Sequence, residues 1–352
     1  MPDRLRRSFT QALLLAAVIP APRASATARA RGKGRQDVRR HGARGDGTHD
    51  DTRAFQDAID ALPADGGTVD VPPGDYLIDA LVSVKLRSRM HLALAPGARL
   101  RAKPNDAERA YVITAQHLQD VEISGGRLIG ERGAHRGTTG EWGHGIAIRG
   151  CDGVTIRDIH VSHCWGDGIS IGSTKHAGGI LPSNDVVIER VQCVGNRRQG
   201  LTIGRSRRVR VYDSHFLDTG GTLPGAGIDV EPDPGEIARD VLIARCVMRN
   251  NEGPGVVLYK HVFDATVRDC LIESNRAHGV LVLGARDCVI EENTIRLNRI
   301  SGVGVRPGAR EVTIARNEFH NNGPRSRGSK RHVDIAEATA AIRVNADNRF
   351  LN

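Results

Sequence analysis

Residues Ile243–Leu258, I-A-R-C-V-M-R-N-N-E-G-P-G-V-V-L, carry a pattern that the chain repeats and that decides its fold. Further copies run over Val267–Val282 and Ile290–Val305. In each copy an Asn lies four residues before a Gly, and the same pair recurs at Asn196 and Gly200. Self-similarity at a spacing of about 23 to 32 residues is typical of a solenoid.

Within each copy apolar and polar residues alternate, which predicts short strands with one buried face. Each copy is too small to bury that face alone, so it must stack on its neighbours. The Asn of each copy suits a turn with positive φ, and stacked Asn amides can also bond to one another. Two buried columns are expected: Val161, Cys193, Phe216, Met248, Ile272, Ile295 and Phe319, and Ile159, Val191, Ser214, Cys246, Cys270, Asn293 and Asn317.

These features predict an all-β fold, a single-stranded right-handed parallel β-helix with about 4.8 Å between successive coils. The Gly of each copy lets the next strand start in a cramped corner. Helical repeats would instead show a 3.6-residue period and would not tolerate so many internal Gly and Asn residues.

A different pattern precedes the repeats, in residues 37–78. Asp50 and Asp51 are good N-cap residues, and Ala54, Phe55, Ala58, Ile59 and Leu62 follow at helical spacing. An amphipathic helix here would cover the first coil and block edge-on strand pairing. The string H-G-A-R-G-D-G-T-H-D-D-T-R-A-F-Q-D-A-I-D, His41–Asp60, closely resembles the N-terminal cap of the pectate-lyase-like superfamily. That resemblance implies secreted carbohydrate chemistry on a β-helix, without fixing a particular reaction.

The amino-acid composition favours some classes of binding partner over others. The 352 residues carry a formal net charge of +9, which favours an anionic polymer such as a polyuronate. Aromatic residues make up only 3%, which argues against base stacking on nucleic acid. The six Cys show no zinc-type spacing, and Cys246 and Cys270 would stack in adjacent coils, where a disulfide is conceivable.

The two ends of the chain differ from its repeats. Arg4, Arg6 and Arg7 precede the apolar run 12–19 and a small-residue cleavage site at 24–26. This segment resembles a twin-arginine export signal and predicts a secreted or periplasmic protein without membrane insertion. We therefore divide the chain into a signal peptide, a linker, the capped β-helix and a C-terminal cap or tail, at residues 1–26, 27–36, 37–323 and 324–352.

The candidate active site follows from the strand after each repeat Gly. Residues one and three after Gly point inward, and residues two and four after it point outward. Asp229 and Glu231 are such an outward pair, and Tyr259 projects from the next coil. The candidate catalytic residues are Asp229, Glu231, Tyr259, Lys260, His261 and Asp167.

Basic residues around this group are candidates for substrate binding. They are Arg205, Arg149, Lys175, His176 and Arg306. Insertions at 173–183, 219–226 and 232–238 would form the walls of a groove. Other basic residues, among them Arg197, Arg198, Arg207, Arg208 and Arg210, suggest a general basic surface, and His144 and His278 suggest structural turn positions.

Several reactions fit the group. In β-elimination, an Arg or Lys neutralises the uronate carboxylate, Lys260 or His261 removes the C5 proton and Tyr259 protonates the leaving oxygen. In hydrolysis, Asp229, Glu231 or Asp167 act as acid and base, and carboxylates two coils apart lie at about 9.6 Å between their backbones. If the reaction needs calcium, as in pectate lyases, the same two residues are its candidate ligands. The sequence slightly favours β-elimination.

Two further functions stay open. Mannuronan C-5 epimerases carry a G-[FI]-D-P-H motif, whose start matches Gly227-Ile228-Asp229 here, whereas Val230 and Glu231 replace its Pro and His. A non-catalytic β-helix that binds polysaccharide is the other alternative, although the few aromatic residues weaken it.

Overall fold

The computed structural model describes residues 31–324, 328–336 and 339–351. Over this range the chain winds into a parallel β-helix, as the repeat predicts. Ten coils each contribute one strand to each of three long sheets, here called sheets 1, 2 and 3, whereas the first and last described coils contribute to sheets 1 and 2 only. Every recorded pairing in these sheets is parallel. The side chains between the sheets form one continuous apolar core.

The strands of the three sheets follow one another in chain order. Sheet 1 consists of Gly34–Asp37, Gly67–Val71, Met90–Leu94, Gln119–Ser124, Asp152–Arg157, Ser183–Glu189, Ser206–Tyr212, Ala238–Ala244, Val262–Arg268, Arg286–Glu291, Arg310–Ala315 and Ala340–Val344. Sheet 2 consists of Asp46–Asp50, Gly74–Ile78, Ala98–Ala102, Arg127–Ile129, His160–Ser162, Gln192–Val194, His215–Leu217, Val247–Arg249, Leu271–Glu273, Thr294–Arg296, Glu318–His320 and Arg349–Leu351. Sheet 3 consists of Val84–Lys85, Arg109–Gln116, Trp142–Arg149, Ile169–Gly172, Leu201–Ile203, Ile228–Val230, Val256–Leu258, Val280–Leu283, Val303–Arg306 and Val333–Ile335.

The register of sheet 2 confirms the first buried column. Val161 pairs with Cys193, Cys193 with Phe216, and Phe216 with Met248. The same column continues without a shift to Phe319, and all of its members have no solvent exposure. Identical positions of successive copies therefore stack directly on one another, which is how each short strand buries its apolar face.

The repeat Asn residues form a buried amide ladder. The side-chain amide of Asn251 donates to Oδ1 of Asn275, Asn275 donates to Asn298, and Asn298 donates to Asn322, each at 2.9 Å. This confirms the predicted bonding along the column. The predicted positive φ of these Asn residues is wrong, because the left-handed residue is the one before each of them: Asn250, Ser274, Leu297 and Asn321. The ladder therefore holds the Asn position through hydrogen bonding and not through turn geometry.

The repeat Gly residues occupy the cramped corner that was expected. A Cβ at Gly255 would lie 2.5 Å from Cγ2 of Ile272 and 2.7 Å from the carbonyl oxygen of Gly279. A side chain therefore does not fit where one coil passes over the next.

The N-terminal cap is an α-helix, Thr52–Asp60, preceded by a 3-10 helix, Val38–His41. Ala54, Phe55, Ala58 and Ile59 are buried beneath it, and the Phe55 ring meets the Tyr76 ring edge-on at 5.3 Å. The helix therefore seals the first coil, as predicted.

The ends of the chain add detail to the predicted divisions. The predicted export signal, residues 1–26, lies outside the described residues. The predicted linker overlaps the first strand, because Gly34–Asp37 pairs with Gly67–Val71. At the C-terminal end, a 3-10 helix at Gly328–Arg331 precedes three strands that extend all three sheets, so the described part of 324–352 continues the coils.

The cysteines and the insertions complete the fold. All six cysteines are buried with free thiols, and the backbone N–H of Cys246 donates to Sγ of Cys270. The insertion at 173–183 is an antiparallel hairpin of Thr174–His176 and Gly179–Leu181. Among the described residues, no helix is long and apolar enough to cross a membrane.

Candidate active site

The outer face of sheet 3 carries three residues from each coil: the one before the repeat Gly and those two and four after it. Ser170, Thr202 and Asp229 occupy the middle position of three successive coils and pair directly in the register. Successive coils are about 4.8 Å apart, so side chains at this position contact the coils above and below. Parallel stacking therefore assembles a cluster from residues that lie far apart in the sequence.

Asp229 is the most strongly perturbed acid of this cluster. It points away from the helix core, yet only 2% of its surface is exposed. Nε2 of Gln199 donates to its Oδ2 at 2.8 Å, whereas its buried Oδ1 has no hydrogen-bond partner. Burial, and then the charge of Glu231, raise the pKa of Asp229 well above its ordinary value. Burial therefore favours the protonated form of the Asp229 carboxyl group, which is the form able to donate a proton.

Asp167 is a second buried acid, with no solvent exposure. The hydroxyl of Thr202 donates to its Oδ2 at 2.9 Å. Burial raises the pKa of Asp167 to about 6, against the opposing effects of Arg198 and Thr202. The two buried acids therefore ionise differently, a property of sites that perform acid–base chemistry.

His144 supports Asp167 from the preceding coil. The backbone N–H of Asp167 donates to Nδ1 of His144 at 3.0 Å, so that nitrogen carries no proton. Burial, and then the charges of Arg149 and Arg198, hold the pKa of His144 well below its ordinary value. His144 is therefore neutral and forms no ion pair with the nearby Asp167 carboxylate, although their closest atoms are only 3.4 Å apart.

Arg198 lies at the centre of the cluster and not on a general basic surface, so that interpretation of the sequence was wrong. Its guanidinium lies 3.2 Å from Glu141, 3.5 Å from Asp167 and 3.4 Å from Glu231. Only 15% of its side chain is exposed. One cation therefore bridges three carboxylates from different coils.

Glu231 and Tyr259 form the solvent-facing side of the site. The Glu231 side chain is 34% exposed. The backbone N–H of Tyr259 donates to the carbonyl of Val230, which places Tyr259 in the coil next to Glu231. Lys260 and His261 follow at an exposed corner, and Nζ of Lys260 lies 5.8 Å from the centre of the Tyr259 ring. The structure thus places Tyr259 beside Glu231, whereas Lys260 and His261 lie at the exposed corner that follows.

The predicted substrate-binding residues divide into two groups. Arg205 approaches Glu236 at 3.9 Å, and Lys175 and His176 lie in the exposed hairpin near the same loops. Arg149 instead donates to the Ser170 carbonyl at 2.7 Å and is held within the wall of the cluster. Arg306 is engaged by Asp334 at 2.9 Å.

Arg306 is also too distant to belong to the cluster. Its strand is three places beyond the strand of Asp229 in sheet 3, which corresponds to about 14 Å along the helix axis. The structure therefore brings together Asp167, Asp229 and Glu231, with Tyr259 beside them, but not Arg306.

Gln199, Thr202 and His144 are site residues that the sequence interpretation did not include. Gln199 links two coils, because its Oε1 accepts from the Ala226 N–H while its Nε2 binds Asp229. A signal for them exists in the sequence: the position before the repeat Gly is polar at His144, Asp167 and Gln199 and apolar in the next two coils.

A separate cleft of about 410 Å³ opens beside the loop at 219–226. Its lining is charged and polar and shares no residue with the acid cluster: Arg132, Asp218, Thr219, Gly220, Asn250, Glu252, Ser274 and Arg276. We place the chemistry at the acid cluster, because the strongly shifted carboxyl groups lie there.

The cluster is a poor cation site. Among the described residues, no group of three or more His, Cys, Asp and Glu side chains is arranged to hold a metal. Arg198 already supplies a positive charge between Asp167 and Glu231, and burial disfavours the ionised form of Asp229 that a cation would need. The donor set of Asp229 and Glu231 therefore does not fit calcium, which needs six to eight oxygen ligands.

Comparison with known proteins agrees with the fold. The model of a protein family described as the right-handed β-helix region matches residues 119–286 and 258–349. The chain belongs to this right-handed β-helix family. Its members share a solenoid, and the family assignment does not by itself name a reaction.

Two curated relatives of this β-helix protein are an uncharacterized protein and an epimerase. The uncharacterized protein YclG of Bacillus subtilis is 26% identical over 336 residues, covering 87% of this chain and 57% of YclG. The mannuronan C5-epimerase AlgE2 of Azotobacter vinelandii is 28% identical over 250 residues, covering 55% of this chain and 25% of AlgE2. The chain thus spans little more than half of YclG and a quarter of AlgE2.

Solved structures show the same fold. The surface adhesin PfbA of Streptococcus pneumoniae aligns with a TM-score of 0.71 at 19% identity, over 90% of this chain and 91% of PfbA. The tailspike gp49 of Acinetobacter baumannii bacteriophage Fri1, a capsular polysaccharide depolymerase, aligns with a TM-score of 0.66 at 14% identity, over 91% of this chain and 63% of that chain. At these identities the likeness concerns the fold alone.

Proposed function

We propose that this β-helix protein is an exported enzyme that cleaves an acidic, uronic-acid-containing polysaccharide by hydrolysis, with Asp229 as general acid and Glu231 as general base. The observation that carries the proposal is the Asp229 carboxyl group, which is buried, raised in pKa and has an unpaired oxygen. A carboxylic acid kept protonated next to an exposed carboxylate is the arrangement that glycosidases use.

The spacing of the two groups supports hydrolysis. Asp229 lies in the strand Ile228–Val230 and Glu231 directly follows that strand, so their side chains point to the same side with backbones about 6.6 Å apart. Inverting glycosidases place their two carboxyl groups about 6.5 to 9.5 Å apart, which leaves room for the attacking water. We therefore expect hydrolysis with inversion of configuration.

Arg198 controls access to the acid in this proposal. It contacts the three carboxylates at 3.2 to 3.5 Å, which is long compared with the usual 2.7 to 2.9 Å of charge-assisted hydrogen bonds. A uronate carboxylate that binds beside the cluster competes for this guanidinium and draws it away from Asp167 and Glu231. The net charge of +9 favours the approach of such a polymer.

The comparisons support the class of substrate. AlgE2 is by name a mannuronan epimerase. That name does not fix the reaction here. Export by the N-terminal segment remains part of the proposal, since that segment lies outside the described residues.

β-Elimination is the second candidate, and the exposed Tyr259-Lys260-His261 run beside Glu231 favours it. There, Lys260 or His261 would remove the C5 proton and Tyr259 would protonate the leaving oxygen. This reaction leaves the buried Asp229, with its raised pKa and unpaired oxygen, without a role, which is why we rank it second.

One experiment separates the reactions. Purified protein is incubated with several polyuronates and with neutral glycans, and both new reducing ends and absorbance near 235 nm are followed. Reducing ends without absorbance indicate hydrolysis, whereas a rise in both indicates β-elimination. Asp229→Asn and Glu231→Gln should each lower the hydrolysis rate at least ~100-fold, while Glu252→Gln, in the separate cleft, serves as the matched control. Full activity of Asp229→Asn would exclude the proposed mechanism.

A further inference from the structure

Two Arg and two Trp residues form a column next to the acid cluster. Arg109, Trp142, Trp165 and Arg197 each lie three residues before the repeat Gly position, in four successive coils. Trp142 pairs with Arg109 in the register, and the Arg197 guanidinium reaches the Trp165 carbonyl at 3.3 Å. The column runs parallel to the helix axis, and its Glu141 neighbour contacts Arg198 of the cluster.

Trp165 is already enclosed. The His135 ring stacks on it with ring centres 3.8 Å apart and an interplanar angle of 13°, and the Arg197 guanidinium lies 3.8 Å from its centre. Two groups cannot occupy the same face of one ring at that distance, so they cover opposite faces. Trp165 therefore has no free face for a ligand.

Trp142 differs from Trp165, because 39% of its surface is exposed. The Arg109 guanidinium lies 5.0 Å from the centre of its ring, and Arg109 is itself exposed. An exposed aromatic ring next to a guanidinium offers a stacking surface for the apolar face of a sugar and a forked donor for its carboxylate.

We propose that Trp142 and Arg109 form a subsite for one acidic sugar unit of a bound polysaccharide, at the N-terminal end of the groove. The proposal rests on the polysaccharide-directed function above and adds a recognition site to it. The strand of Trp142 lies three places before that of Asp229 in sheet 3, or about 14 Å along the axis. A polymer that reaches both sites follows the axis, so an oligomer long enough to span about 14 Å can occupy both.

The protein contains two Trp residues, which makes direct measurement possible. In Trp165→Phe, Trp142 becomes the sole indole, and in Trp142→Phe, Trp165 is the sole indole. Hexamers of galacturonic acid and of mannuronic acid are titrated into both variants, with a neutral glucose hexamer as comparison. We expect a saturable emission change for an acidic hexamer in Trp165→Phe and none in Trp142→Phe, and a weaker apparent Kd, by about tenfold, in Arg109→Ala.

Phe263 provides the matched control. It lies on sheet 1, where Arg239 and Arg286 approach its ring at 5.4 and 5.9 Å in the same type of contact. Phe263→Ala should bind the acidic hexamer as the unaltered protein does. Circular dichroism verifies the fold of each variant.

The outcomes separate the subsite from the proposed function. A Trp142 signal without any cleavage supports the subsite and contradicts the enzymatic proposal. Cleavage of polyuronates with no emission change in Trp165→Phe, and with an unaltered KM in Trp142→Ala, refutes the subsite alone. An equal response to the neutral hexamer refutes its preference for acidic sugars, and no response to any hexamer refutes the subsite.

Discussion

Substitution of Asn298 by Ala should destabilise the β-helix by about 4 kcal/mol. The Asn298 side chain makes four hydrogen bonds: its amide donates to Asn322 and to the Ile272 carbonyl, and its Oδ1 accepts from the backbone and side-chain N–H groups of Asn275. Each bond contributes roughly 1 kcal/mol net, which gives the total. Asn298 has no solvent exposure, so water cannot replace these partners.

Asn196 is a control within the same column. It is equally buried, but its Oδ1 accepts only from the Cys164 N–H and its Nδ2 has no partner. Asn196→Ala removes one bond at a similar change in volume, so its cost should be about 1 kcal/mol. The expected difference between the two variants is therefore about 3 kcal/mol.

Urea unfolding followed by circular dichroism measures both variants. Because a solenoid can open locally, hydrogen exchange of the neighbouring coils should accompany it, to show whether unfolding remains cooperative. Equal losses of unfolding free energy in the two variants would refute the reasoning, since the additional hydrogen bonds of Asn298 would then contribute nothing to stability.

Four further predictions concern the site. The pKa of Asp167 is raised to about 6 from 3.8, so its ionisation destabilises the fold as the pH rises between these values. Asp167→Asn removes this ionisation. The free energy of unfolding that is lost between pH 4 and pH 7, measured by urea unfolding, should therefore be smaller by about 3 kcal/mol in this variant. In Arg198→Met the pKa of the general acid Asp229 should rise further, because the charge of Arg198 lowers it, so the pH–rate profile should shift to higher pH, a shift that Arg198→Lys should partly reverse. Arg306→Ala should leave turnover unchanged in rate assays, because Arg306 lies about 14 Å from the strand of Asp229. Addition of EDTA should not lower activity, and a loss restored by calcium would refute our assignment of the carboxylates.

The sequence predicted the fold almost completely, because one periodicity fixes the pairing of every coil. The column from Val161 to Phe319 pairs without a shift, as expected from the spacing alone. The site was predicted in part: Asp167 and Asp229 occupy recognisable positions relative to the repeat Gly, and stacking brings them together. The contacts of Arg198 were not predictable, since a long side chain at a corner can reach several coils and only the packed structure selects among them.

The composition of the outer face of sheet 3 argues that the acid cluster is functional and not a solvated surface. A solvated face would be polar where it is exposed, yet only 2% of the surface of Asp229 and 4% of that of Ser170 is exposed. In the coil after Asp229, the equivalent position is occupied by Val257, of which only 4% is exposed. An apolar residue therefore fits this environment, and replacing buried charged groups by apolar ones is often stabilising. The chain thus keeps carboxyl groups where they cost stability, with their pKa values raised and one oxygen unpaired. Such a departure from the most stable choice is expected at a catalytic site, where the acid must remain protonated until a substrate reaches it.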